Sequence, residues 1–444
     1  MRPPVIASRS LKQNLIFSVL NIALVLNVAG QFQRPNIIYI MADDLGYADL
    51  SCYGRKDYAT PNIDRLASQG MKFTNAYAGA SLCTPTRVSF MTGRYPARTE
   101  VGLYEPLRGT PKDSLVGLKR EQTSVATLVR NAGYETALIG KWHLGFLPEH
   151  GPNANGFDEF FGFHSGATDY VTHRSRRGIP DLYHNTDPVD RNGYIGDIFT
   201  EQAVQYINRK HAKPFFLSLQ FNAPHWPWQG PGDKAYPDTL NWPAGGSQAV
   251  FAAMMTRLDS AVGAVLKAVD DANLANNTVI IFTSDNGGEK FSDMGRYSGA
   301  KADLRDGGIR VPAFIRWPGK IKPNTTSDQV IITMDWTATI LALAGAKPDP
   351  AYPLDGKDLF ATCTGKQKSY DRTLYWRMFQ DKTQKAIRDG KWKYLLTDNA
   401  ESLFDLSTDP SETNDLKEKY PKEFARLKTK YEDWEKTVLK PVPL

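Results

Sequence analysis

Four stretches of this 444-residue chain end an apolar, β-branched run in polar groups that can do chemistry. Asp43-Asp44 follows Asn36 to Ile40, and Lys141 and His143 follow Thr136 to Ile139. His225 follows Phe215 to Phe221, and Asp285-Asn286 follows Val279 to Phe282. Such runs read as buried strands of a parallel sheet. Ligands of open α/β sheets bind beyond the carboxyl ends of the strands, so the four clusters predict one shared site. Any one of them alone reads equally well as a loop turn or a cap. Asp43, Asp44, Asp285 and Asn286 are all hard oxygen donors. Together they suit Ca2+ or Mg2+ and would repel one another without a cation. With no thiolate ligand set, Zn2+ is the less natural metal.

Cys83-Thr84-Pro85-Thr86-Arg87 precedes Val88, Phe90 and Met91, which places Cys83 at a helix start with Pro85 in the first turn. Unpaired N–H groups and the positive helix end favour anions there. A thiol in that position beside Arg87 is expected to have a depressed pKa and to be reactive. Taken alone, this points to a cysteine hydrolase, or to a buried and inert thiol. Neither accounts for a hard-cation site nearby, which an oxygen nucleophile would suit better.

The elements that must position these groups alternate short apolar runs with helix-like segments, the pattern of an α/β sheet covered by helices. Thr60-Pro61-Asn62, followed by Ile63, Leu66, Ala67 and Gly70, predicts a capped helix. Thr123 to Asn131 predicts another, stopped by Gly133. Val250, Met254, Leu258, Val262, Val265 and Val269 recur at helical spacing, as a core-facing stripe does. Gly345 to Asp371 is rich in Pro, Gly, Lys and Asp and marks a boundary. The expected organisation is therefore a catalytic domain over 31–365 and a smaller α+β subdomain over 366–444. In the latter, Leu374-Tyr375-Trp376 and Lys391 to Leu396 read as strands, and Phe424, Leu427, Tyr431, Trp434 and Val438 as a helix stripe.

Hydrophobic residues make up 41% and charged residues 23%, which excludes disordered, collagen-like and multi-span membrane proteins. The net charge of +6 owes part to Arg2, Arg9 and Lys12, and the remainder is too small to argue for nucleic acid or an anionic membrane. Residues 1–30 carry a basic start, an apolar run from Leu15 to Val28 and the small residues Val28-Ala29-Gly30. That layout predicts a secretory signal peptide, too short for a stable membrane anchor, and hence export to the periplasm or beyond. The three cysteines, Cys52, Cys83 and Cys363, cannot all pair, although a Cys52–Cys363 bridge is conceivable. Asn276 and Asn324 begin glycosylation sequons.

Ser81-Leu82-Cys83-Thr84-Pro85-Thr86-Arg87, continuing to Met91-Thr92-Gly93, resembles the sulfatase signature in every defined position. Gly133-Tyr134-Glu135-Thr136 through Gly140-Lys141-Trp142-His143-Leu144-Gly145 resembles the second signature of that family. Asn222-Ala223-Pro224-His225, Ser284-Asp285-Asn286-Gly287 and Lys301 followed by Gly307-Gly308 match further blocks in the same order. From about Pro35 to the C-terminal helix, the chain resembles the type I formylglycine-dependent sulfatases of the arylsulfatase-like group. The resemblance implies an alkaline-phosphatase-like α/β fold, a large sheet flanked by helices, with a smaller C-terminal sheet. It implies that a formylglycine-generating enzyme oxidises Cys83 to formylglycine, whose hydrate is the nucleophile. It further implies one divalent cation, Ca2+ in preference to Mg2+, on Asp43, Asp44, Asp285, Asn286 and residue 83.

In the implied reaction a hydroxyl ionised by the cation attacks sulfur, while Arg87, Lys141 and Lys301 neutralise the sulfuryl oxygens. His225 protonates the leaving alcohol, with Lys301 assisting or replacing it, and His143 is the base that lets the second hydroxyl expel sulfate. Lys141, His225 and Lys301 would also bind substrate, a sulfated small molecule or glycan. The insert His225 to Pro231 and the polar stretch containing Asp169, His173 and Arg174 are expected at the entrance, pointing to exo action on a sulfated carbohydrate. The competing readings are a phosphate or phosphonate ester hydrolase on the same fold, and a non-catalytic sulfated-glycan binder if Cys83 stays a thiol.

Overall fold

The apolar runs form the strands expected of them in a computed structural model that describes Met1 and residues 34–236, 239–379 and 382–442. Apart from Met1, residues 1–30, expected to be a signal peptide, lie outside the described residues. The first twelve strands are β1 (Asn36–Asp43), β2 (Met71–Phe73), β3 (Ala76–Tyr77), β4 (Glu135–Lys141), β5 (Glu159–Phe163), β6 (Tyr183–His184), β7 (Asp187–Pro188), β8 (Phe215–Pro224), β9 (Thr278–Ser284), β10 (Ala313–Arg316), β11 (Thr325–Ser327) and β12 (Ile331–Ile332). Ten of them make one sheet in the order β11-β2-β10-β9-β1-β8-β4-β5-β6-β7, while β3 and β12 pair separately. At its centre β9, β1, β8 and β4 are consecutive and all parallel.

Every residue of β1 is buried, as a strand covered on both faces must be. Ile38, Ile40 and Ala42 point into one apolar layer, with residues of the helices Pro61–Ser68, Ile195–Asn208 and Gln248–Asp271. Ile37, Tyr39 and Met41 point into the other, with residues of the helices Cys83–Thr92, Val125–Asn131 and Thr333–Ala344. The result is the expected helix–sheet–helix sandwich. The Val250 to Val269 stripe faces the first layer, in agreement with its period.

Two helix starts differ from expectation. The Thr60 hydroxyl does not cap the Pro61–Ser68 helix; it accepts from the Ser51 N–H at 3.0 Å. Asp259, from the long helix packed alongside, instead accepts from Asn62 N at 3.0 Å and Ile63 N at 2.8 Å. The helix expected from Thr123 begins instead at Val125, with Ser124 Oγ accepting from Thr127 N at 3.0 Å.

Beyond residue 366 an antiparallel sheet runs in chain order through β13 (Thr373–Met378), β14 (Gln384–Asp389), β15 (Trp392–Thr397) and β16 (Ala400–Asp405). Only β13 and β15 carry apolar runs conspicuous enough to read in advance. Leu427, Tyr431 and Trp434 of the helix Pro421–Glu435 share one buried cluster with Leu374, Trp376 and Leu395 of this sheet. The sheet also braces the larger body. Trp376 Nε1 donates to Ala78 O at 2.8 Å, and Gln384 Nε2 donates to Ala302 O at 2.8 Å. All three cysteines are free thiols. Cys52 packs against the first apolar layer and Cys363 lies in the second, so the sheet separates the pair considered for a bridge.

Candidate active site

Because β9, β1, β8 and β4 are adjacent and parallel, the four polar clusters emerge on one edge of the sheet. The β1–β8 register shifts between Met41 and Asp43, and Asp44 turns into the left-handed region at φ 61°. Asp tolerates that conformation better than most residues. The turn is closed by Asp44 N donating to Asp285 Oδ1 at 3.1 Å and by Asn286 Nδ2 donating to Asp44 Oδ1 at 2.7 Å. Cys83 opens the Cys83–Thr92 helix as expected. One ligand atom from each of Asp43, Asp44, Cys83 and His225 lies within 4.8 Å of all the others, and the four residues are buried.

Each acid has a base. Lys141 Nζ lies 2.6 Å from Asp43 Oδ2, Lys301 Nζ 2.6 Å from Asp44 Oδ2, and Arg87 2.9 Å from Asp285 Oδ2. Three carboxylates against three bases leave the cluster neutral, and a divalent cation would make it net positive, as an anionic substrate requires. The donor set fits such a cation. Asp43 Oδ1 and Asn286 Oδ1 are buried with no hydrogen-bond donor among the described residues, and Arg87 comes no nearer to Asp43 Oδ1 than 3.5 Å. Buried oxygens of that kind are costly unless something positive meets them.

The electrostatics correct one expectation. Burial pushes the Cys83 thiol up to about 12, and Lys141 and Lys301 only partly offset it. Cys83 is therefore a protonated and inert thiol, not a poised thiolate, because desolvation outweighs helix end and charge. Burial and the nearby Asp43 raise Asp285 to about 6 against the pull of Arg87. Burial opposes the charge on Lys301, yet Asp44 holds its pKa well above the ordinary lysine value.

Burial, then Lys141, hold His143 well below the ordinary histidine value; burial, then Lys301, do the same to His225. Both rings are neutral. His143 Nε2 lies 2.9 Å from Leu107 O, which can only accept, so the proton sits on Nε2 and Nδ1 is a lone pair without a partner. His225 Nδ1 lies 2.6 Å from Trp226 O and carries its proton by the same reasoning. Its Nε2, 3.5 Å from Asp44 Oδ2, then holds none. Of the two groups expected to protonate a leaving oxygen, Lys301 holds a proton facing the site.

Asp169 and His173 do not line the entrance. Asp169 is buried and accepts from Val171 N, Thr172 N, Gln229 Nε2 and Tyr236 N. His173 is buried with Nε2 2.9 Å from Gly193 O. Both brace loops through partners on remote segments, Gln229 and Tyr236 for Asp169 and Gly193 O for His173, which the local sequence does not show. Arg174 is exposed and donates to Gly178 O at 2.7 Å. In the insert after His225, Trp228 is buried and only Trp226 is part-exposed. Gln220 was overlooked: its Oε1 accepts from Arg87 at 3.0 Å. A glutamine inside the run Phe215 to Phe221, apolar but for Ser218, was the available signal.

The family described as Sulfatase matches residues 35–346, and the family described as N-sulphoglucosamine sulphohydrolase, C-terminal, matches residues 300–437. The chain is 32% identical to N-acetylgalactosamine-6-sulfatase of Canis lupus familiaris, covering 88% of this chain and 76% of that protein. It is 30% identical to N-acetylgalactosamine-6-O-sulfatase of Bacteroides thetaiotaomicron over 88% and 91% of the two chains, and 34% identical to human arylsulfatase A over 85% and 78%. The crystal structure of Ps i-CgsB superposes with a TM-score of 0.81 at 32% identity, covering 90% of this chain and 93% of that one. That protein has also been solved in complex with k-i-k-neocarrahexaose. The chain belongs to the sulfatase family and is a sulfuric ester hydrolase.

Proposed function

We propose that this sulfatase removes sulfate from a sulfated carbohydrate, acting on terminal sugars, with residue 83 as formylglycine and one divalent cation, Ca2+ before Mg2+. The observation that carries the reading is the buried Cys83 side chain set among Asp43, Asp44 and His225 and flanked by three bases. Asp43, Asp44, Asp285 and Asn286 would hold the cation, two of them through the oxygens that lack donors. Together the cation and the aldehyde hydrate would supply an ionised oxygen nucleophile and Lewis acidity.

The chain's own residues do the rest. Arg87, Lys141 and Lys301 are held in place by carboxylates before substrate arrives, so they can meet sulfuryl oxygens without reorganising. Gln220 keeps the Arg87 fork aimed at the site. Lys301 Nζ offers the proton for the leaving oxygen, and His143 Nδ1 is the free lone pair that can take one. The acids at the bottom of the site are at most 1% exposed, which suits a sulfate presented end-on by a terminal sugar. The names of the relatives, which include sulfatases of N-acetylgalactosamine, and the hexaose bound by Ps i-CgsB support a carbohydrate.

Maturation would require a formylglycine-generating enzyme, and the basic, apolar segment 1–30 supports export to the periplasm or beyond. The domain division proposed is 31–365 for catalysis and 366–444 for the bracing subdomain. Co-expression with a formylglycine-generating enzyme, followed by mass analysis of the peptide across Cys83, should show the aldehyde. The same preparation should release sulfate from sulfated sugars, lose activity on chelation and recover it with Ca2+. A Cys83→Ala variant that still released sulfate would overturn the mechanism, and activity confined to aryl sulfates would overturn the substrate class.

A further inference from the structure

The polar stretch expected to line the entrance is instead the root of a hairpin, and its tip brings a different residue to the site. Thr168 bridges to Ser175 and Arg174 to Pro180, and Ser175 N donates to Ile179 O at 2.9 Å. This hairpin is clamped to the loop that follows His225. Gln229 Nε2 donates to Asp169 Oδ2 at 3.0 Å, Tyr236 N to the same oxygen at 2.8 Å, and Tyr170 N to Gln229 Oε1 at 2.9 Å. The Tyr170 hydroxyl lies 2.8 Å from His225 O, so the clamp reaches the catalytic loop itself. Two segments some fifty residues apart in sequence thereby behave as one rim.

On that rim the exposed Arg176 places its guanidinium 5.6 Å from the centre of the Trp226 ring. The same indole lies 4.3 Å from the His225 ring and 5.9 Å from Lys301 Nζ. Trp226 thus spans the distance from the buried bases to a surface arginine. An indole face takes the apolar face of a sugar, and arginine is the residue best suited to a planar oxyanion such as sulfate or carboxylate. Glu289, 3.8 Å from Lys301, adds a carboxylate at the same mouth, so an additional anion on the substrate is disfavoured on that side and meets favourable charge on the hairpin side, where Arg176 lies against Trp226.

We propose that Trp226 and Arg176 form a subsite that reads a second anionic group, a sulfate or a carboxylate, on the sugar carrying the scissile sulfate or on its neighbour. The proposal rests on the sulfatase reading above and sharpens it: the preferred substrates are multiply charged glycans, selected at the rim and not at the buried bases. Asp169 is a positioning residue: it accepts two of the bonds that clamp the hairpin to the loop carrying Trp226, and without it only the Tyr170 bonds remain of those named.

The test compares Arg176→Gln with the unchanged enzyme on three sugars sharing one target sulfate: monosulfated, disulfated, and monosulfated with a neighbouring uronate. Arg176→Gln should raise KM for the disulfated sugar about fivefold more than for the monosulfated one, with kcat hardly altered, as an exposed charge contact of about 1 kcal/mol gives. The excess should vanish at about 1 M salt, where the screening length is only about 3 Å. Asp169→Asn should reproduce the shift in KM. A matching shift with the uronate sugar assigns the subsite to any oxyanion, and its absence assigns it to sulfate. Equal effects of Arg176→Gln on all three sugars would overturn the proposal. Calorimetry on the Cys83→Ala protein reads the subsite without turnover: a preference for the disulfated sugar that Arg176→Gln abolishes sustains it even if the catalytic reading fails, and no preference refutes it.

Discussion

Replacing Lys393 by methionine tests how the C-terminal sheet holds the catalytic loops, because the ammonium has no route to water. Lys393, on β15, is fully buried and lies 2.8 Å from Asp306 Oδ1 and 2.8 Å from Glu412 Oε1. Asp306 has other partners: Arg310 Nε at 3.0 Å and the Tyr77 hydroxyl at 2.7 Å. Among the described residues Glu412 keeps the Asp306 N–H, at 2.6 Å. Removing one member of a buried pair costs about 3–5 kcal/mol, and the better-served Asp306 argues for about 3 kcal/mol here.

The sign with pH follows from Glu412. Burial raises its pKa even with Lys393 present, and losing that charge raises it further. A carboxyl raised on folding binds a proton more tightly in the native state, so its penalty is absent below the unfolded value and grows as pH rises through the folded one. The loss for Lys393→Met should therefore be about 3 kcal/mol at pH 8 and shrink to about 1.5 kcal/mol at pH 5: with Lys393 present Glu412 titrates at about 7, so the two proteins differ in its protonation over only about one pH unit, or about 1.4 kcal/mol. Urea unfolding at the two pH values measures it. Sulfate release should fall as well, since Gly308 O accepts from Ser81 Oγ at 3.0 Å and from Gly287 N at 2.9 Å, next to Cys83 and Asn286. A pH-independent loss, or one below about 1 kcal/mol at pH 8, would refute the reasoning.

Two further outcomes follow from local geometry. Asp259→Ala strips the Pro61–Ser68 helix of the carboxylate that meets its first N–H groups and should cost about 2 kcal/mol in urea unfolding, with kcat on any active substrate preserved. Gly140→Ala should be far more damaging. Gly140 has φ 112°, and a Cβ there would sit 1.9 Å from Gln220 O on the neighbouring strand, so β4 must shift and carry Lys141 away from Asp43. A destabilisation of about 3 kcal/mol or more by thermal melting and loss of sulfate release are expected.

Much of the large body was legible in advance because strands buried on both faces are continuous apolar runs, and β1, β4, β8 and β9 are runs of that kind. β14 and β16 were not. Each holds only one adjacent apolar pair, Ala386-Ile387 or Leu403-Phe404, among polar residues, so Gln384 and Arg388 hide among solvent-like letters while being buried. The cap supplied by Asp259 was invisible for a related reason: it comes from 197 residues away, whereas Thr60 stood in the expected place.

What the linear chain determined by itself was the chemistry available: hard oxygen donors, three bases, two histidines and one cysteine, most of them at a strand end or helix start where a shared site forms. Only the tertiary structure decided their states and their company. Desolvation made Cys83 a neutral thiol and both histidines neutral rings, while the chain's packing turned Asp169 and His173 into braces and brought Arg176 to Trp226. Composition and spacing are local properties, but burial and electric field are sums over every segment packed nearby, and no stretch of sequence contains that sum.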